Sequence, residues 1–106
     1  MKMYVLTAWC VIALASGGAL ASESAAGKEK SKVCAACHGP EGNSTSAEFP
    51  RLAGQHYDYL VKALKDYRSG ARKNPIMAPQ AAKLSDRDIA DLADFYSEKR
   101  GLQVKY

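Results

Sequence analysis

The sequence predicts an all-α fold. Two stretches in its second half repeat apolar residues at helical spacing, the later one opens on a serine-led cap signal, and no segment alternates apolar and polar residues as a half-buried strand would. The chain has 106 residues and a formal net charge of +4, with neither an internal repeat nor a low-complexity tract. It is long enough for one domain at most.

The N-terminus, MKMYVLTAWCVIALASGGALASESA, has a lysine near its start, an apolar run over residues 4–14, and small residues leading to Ala19-Leu20-Ala21. A positive start, a short apolar centre and an A-x-A site read as a secretory signal peptide over residues 1–21, cleaved after Ala21. The run falls short of the ~20 residues that span a bilayer, although a retained anchor is the competing reading. Cleavage removes Cys10, Met1 and Met3, leaving Cys34, Cys37 and Met77 as the mature sulfur-bearing side chains. Lys2 is the only charged residue of the leader, so residues 22–106 keep a mild positive surplus. Without a concentrated basic patch, that surplus gives no argument for nucleic-acid binding.

The first predicted helix runs from about residue 24 to the cysteines, with Ala25, Ala26, Val33 and Ala36 among lysines. The second covers residues 55–69. Tyr57, Leu60, Val61, Leu64 and Tyr67 form one apolar stripe, Asp58 and Lys62 are placed to pair on its flank, and Gly70 offers a stop. The last begins after Ser85, with Asp88 as a short capping-box partner and Leu84 and Ile89 as a staple. Ile89, Leu92, Ala93 and Tyr96 make its buried face. Lys99 and Arg100 complement the negative end of its dipole before Gly101. Residues 39–54 and 74–79 (NPIMAP) read as irregular segments. Apolar side chains are scarce for three main helices and two long loops, which points to a large apolar cofactor filling the core.

VCAACH names the cofactor class. A structural zinc ion wants four ligands, and adjacent Cys37 and His38 would both have to reach one tetrahedral ion. A redox dithiol would be expected in a βαβ setting, and no strand precedes this pair; a structural disulfide across only two intervening residues is similarly rare. The remaining reading of C-x-x-C-H is covalent attachment of a c-type haem. Cys34 and Cys37 stand one helical turn apart, so both sulfurs can meet the vinyl-bearing edge of a porphyrin, and His38 follows as an axial ligand to the iron. Met77, held between Pro75 and Pro79, is the candidate for the opposite axial position. Its bland alternative is a flexible core filler. His56 is the competing ligand but reads as a surface residue at a helix start.

With these residues in place, GKEKSKVCAACHGPEGNS, FPRLAGQ and GARKNPIMAPQAAKLSDRDIADLADFYS together resemble small bacterial class I cytochromes c. The likeness is to the cytochrome c5/c553 group and to a single-haem half of cytochrome c4, and it covers about residues 27–101. It implies the class I cytochrome c fold, with long loops wrapped around one covalently attached haem c and its iron. The family's thioethers fall on Cys34 and Cys37, its axial ligands on His38 and Met77, and its proline carbonyl, which accepts the proximal imidazole N–H, on Pro50. Gly27 falls where the family brings its first and last helices close together.

The expected function is periplasmic one-electron transfer rather than enzymatic catalysis, since two strong axial ligands leave the iron no open position. Expected partners are redox proteins, including membrane-bound respiratory complexes, with no small-molecule substrate and a monomeric chain. Lys28, Lys30 and Lys32 either steer such partners or simply solvate a helix face. Two alternatives stand beside this: a haem c subunit bound permanently in a larger oxidase or dehydrogenase, and an enzyme or gas sensor with a labile sixth ligand.

Overall fold

In the computed structural model, which describes residues 22–101, every regular element is helical: α1 (Ser22–Lys30), α2 (Lys32–His38), α3 (Tyr57–Ser69), α4 (Met77–Ala82) and α5 (Asp86–Ser97). The predicted leader lies outside the described residues. Among those described, no helix is long and apolar enough to cross a membrane.

The single first helix expected from the sequence is divided at Ser31. Its hydroxyl donates to the Lys28 carbonyl at 2.7 Å, the kind of back-bond by which serine competes with regular helix. α1 then packs against α5. Gly27 makes that approach possible: a Cβ there would overlap the Asp91 carbonyl and come within 2.6 Å of Phe95 Cβ. The same crossing is tied by charge. Lys30 Nζ lies 2.5 Å from Asp91 Oδ2 and 2.9 Å from Asp88 Oδ1, while Arg87 Nε reaches Asp91 Oδ1 at 3.2 Å. Asp91 is buried, and both of its oxygens are engaged. Lys30, read from the sequence as a candidate steering charge, is therefore half-exposed and paired with two carboxylates of α5.

α3 presents Leu60 to the core, with Val61 and Leu64 half-buried beside it, and Gly70 in the left-handed region ends it. The stripe fades at its start, where Tyr57 is exposed. Lys62 pairs with Asp66 at 2.6 Å, not with Asp58 as its spacing also allows. Asp58, in the first turn, is already favoured by the positive end of the helix dipole, whereas Asp66 faces the negative end and gains more from a cation.

α4 replaces part of the segment read as irregular. Asn74 Oδ1 accepts from the backbone N–H of Ile76 and of Met77, each at 2.9 Å, so it caps the helix that Met77 opens. Ala78 N–H donates to the Asn74 carbonyl at 2.9 Å, and Pro79, next in line, has no N–H to offer the Pro75 carbonyl, so the helix forms with that one bond missing.

α5 carries the reciprocal capping box: Asp88 N–H donates to Ser85 Oγ at 3.0 Å and Ser85 N–H to Asp88 Oδ2 at 2.9 Å. Arg68 of α3 clamps the same end, donating to Asp86 Oδ1 at 2.6 Å and to the Leu84 carbonyl at 3.1 Å. Ile89, Leu92, Ala93 and Tyr96 are buried as the sequence predicts, and so are Phe95 and Asp91, which face α1. The helix ends at Ser97, before Lys99, whose ammonium lies 4.5 Å from the centre of the Phe95 ring. The long loop after α2 is pinched at its base, with Leu52 N–H and Ala53 N–H both donating to the Gly42 carbonyl, and Gly54 N–H joins it to the Tyr96 carbonyl of α5.

Candidate cofactor site

Helix α2 fixes Cys34, Cys37 and His38 within its last turns. Both cysteines are free thiols, Cys34 half-buried and Cys37 exposed. Cys34 packs against the cluster of Leu60, Leu92, Ala93, Phe95 and Tyr96. Burial pushes its thiol pKa up, and the negative charge that Cys37 can carry adds to this, while the Tyr96 hydroxyl acts the other way. Cys34 is thus held as a neutral thiol.

His38 closes α2 and is buried, at 6% exposure. Its Nδ1 lies 2.8 Å from the Pro50 carbonyl oxygen, and the Phe49 ring stands edge-on to the imidazole with centroids 6.3 Å apart. A carbonyl oxygen can only accept, so the proton sits on Nδ1. Nε2 is left with its lone pair, which is the tautomer a metal needs.

Met77 opens α4 and is half-buried, with its backbone fixed by Asn74 and its helix packed on α3. His56 is exposed at the start of α3, where its N–H is taken by Gln55 Oε1 at 2.9 Å. Among the described residues, no three His, Cys, Asp or Glu side chains gather as a metal-ion site. The donor set therefore fits a haem c: two free thiols a turn apart, one imidazole of fixed tautomer beside them, and a thioether on a separate capped helix. Sequence reasoning missed Asn74 and Phe49. The Asn-Pro pair three residues before Met77 was the available sign of a cap.

The chain matches the family model for cytochrome c over residues 24–97, and it belongs to that family. It is therefore a protein with a covalently attached haem c and its iron, built on the class I all-α fold. It is 44% identical over 82 residues to cytochrome c-554(548) of Halomonas halodenitrificans, covering 74% of this chain and 99% of that one. It is 42% identical over 80 residues to cytochrome c4 of Pseudomonas aeruginosa, covering 76% of this chain but 40% of the relative. The crystal structure of reduced recombinant cytochrome c4 from Pseudomonas stutzeri superposes with a TM-score of 0.71 at 40% identity, over 74% of this chain and 46% of that one. The chain thus spans less than half the length of the cytochrome c4 relatives it matches.

Proposed function

We propose that this chain is a periplasmic one-electron carrier whose iron is ligated by His38 and Met77. The observation that carries the reading is the bond from His38 Nδ1–H to the Pro50 carbonyl, which leaves Nε2 a pure donor in a buried setting. When bound, the haem supplies a single reversible electron at its iron. Cys34 and Cys37 anchor it as thioethers. His38 Nε2 would ligate the iron, and the Pro50 carbonyl, 2.8 Å from Nδ1, would fix that imidazole and strengthen it as a ligand. The Met77 thioether would be the second protein ligand, and as a weak donor and good acceptor it would favour the ferrous state and a raised potential. With both ligands supplied by the protein, the iron would transfer an electron without binding a substrate.

The partners we propose are redox proteins, membrane-bound respiratory complexes among them. Of the lysines near the motif, Lys28 is exposed, and Lys32 meets Glu29 at 2.7 Å in a largely solvated pair that contributes little and leaves its charge available. Encounters of this kind use small interfaces with fast release.

The test is an absorbance spectrum of the exported protein and of Met77→Ala. The ferric wild type should show the far-red methionine-to-iron charge-transfer band, and the ferrous form should not bind carbon monoxide. Met77→Ala should lose the band, bind carbon monoxide and have a lower potential. An unchanged variant spectrum would remove Met77 from the iron.

A further inference from the structure

Tyr96 is 3% exposed, and its hydroxyl is the buried side-chain polar atom that finds no hydrogen-bond partner among the described residues. A phenol of this kind costs free energy unless something accepts its proton, so a functional reason is to be sought. The ring cannot easily turn away. It sits in the last turn of α5, edge-on to Phe95 at 5.0 Å between centroids, and its carbons fill the space where a Cβ on Gly42 would lie, 2.8 Å away. The hydroxyl's polar neighbours are the side chains of Cys34 and Ser31. Ser31 already donates its own proton to the Lys28 carbonyl. Burial raises the phenol pKa above its ordinary value, so the group is a neutral donor at any working pH.

Attachment of the haem changes what Cys34 can offer. The thiol adds across a vinyl double bond: sulfur bonds one vinyl carbon, the thiol hydrogen goes to the other, and no oxidant is needed. The sulfur then has no proton and can only accept. We propose that in the mature protein the Tyr96 hydroxyl donates a hydrogen bond to the Cys34 thioether sulfur, making Tyr96 a positioning residue that links α5 to the attachment point and tunes the redox potential. The inference rests on Cys34 being an attachment residue. An O–H dipole with its positive end toward the macrocycle favours the reduced state, in the way hydrogen bonds to ligand sulfurs tune other redox centres.

Tyr96→Phe in the haem-loaded protein is the test, with the pyridine haemochrome spectrum checking that two thioethers remain. The expected result is a lower midpoint potential and a lower denaturation midpoint. Both shifts should vanish in a Cys34→Ala background, where Cys37 alone holds the haem, and should persist in a Ser31→Ala background. If Tyr96→Phe has an unchanged potential and is at least as stable as wild type, the hydroxyl is unpaired and the inference is overturned. If the shifts vanish with Ser31→Ala instead, Ser31 is the acceptor and the inference is equally overturned. A wild-type haemochrome with fewer than two thioethers would defeat the attachment reading itself, an outcome visible before any Tyr96 variant is made.

Discussion

Cys34 and Cys37 stand one helical turn apart in different surroundings. Cys34 is packed against the apolar cluster that includes Leu60 and Tyr96, while Cys37 is exposed. The two serine variants should therefore differ. Each leaves one vinyl group unsaturated and conjugated with the ring, so each should shift the reduced α-band to longer wavelength. Cys34→Ser also exchanges packed sulfur for a smaller buried hydroxyl, at a cost of up to about 1–3 kcal/mol that a bond with the Tyr96 hydroxyl would offset in part, whereas Cys37→Ser places its hydroxyl in water. Denaturation of the two haem-loaded variants should show Cys34→Ser to be the less stable, and equal midpoints would contradict the packing seen at Cys34. At this scale the sequence shows which residue types share a turn of helix, because spacing alone decides that. The pairing of His38 with Pro50 was implied by family likeness and not by spacing. The approach of Tyr96 to Cys34 and the cap that Asn74 gives Met77 depend on where separate elements meet.

Helices α3 and α5 were legible because their apolar residues recur at helical period and their ends carry Gly70 and the Ser85–Asp88 box. α4 was hidden by prolines that read as breakers, although the six-residue helix Met77–Ala82 forms around Pro79 with one bond missing. The ion-pair group between α1 and α5 was also illegible, since 61 residues separate Lys30 from Asp91. That group has a pH signature. The Asp88 pKa is lowered to about 2, first by the Ser85 backbone N–H, then by Lys30 and the Ser85 hydroxyl. A carboxylate whose folded pKa is depressed contributes stability that is fully present above its unfolded value, near ~4. That stability is lost as pH falls through about 2. Asp88→Asn should lower stability at neutral pH and flatten the decline across that window, with solvent screening keeping the difference modest. Parallel acid limbs for variant and wild type in denaturation series would show that Asp88 does not carry the linkage.

Among the described residues, the buried apolar set is Ala53, Leu60, Ala81, Ile89, Leu92, Ala93, Phe95 and Tyr96. Three of these are alanines, so the large buried side chains come almost wholly from α5, with Leu60 alone from α3. Such a core is thin for a chain that must also order the loop after α2, and each ordered residue costs about 1–2 kcal/mol of backbone entropy. The family's haem offers the missing apolar volume, and the proposed thioethers at Cys34 and Cys37 would join it to α2. Folding and cofactor attachment should accordingly be one event, as ligand binding to the native state alone requires. The double variant Cys34→Ala/Cys37→Ala, prepared free of haem, should show weak helical circular dichroism and no cooperative melt, while the loaded wild type melts sharply. A sigmoidal transition and native-like ellipticity in the haem-free chain would mean that α1, α3 and α5 hold together through Gly27, Lys30 and Leu60 without the cofactor.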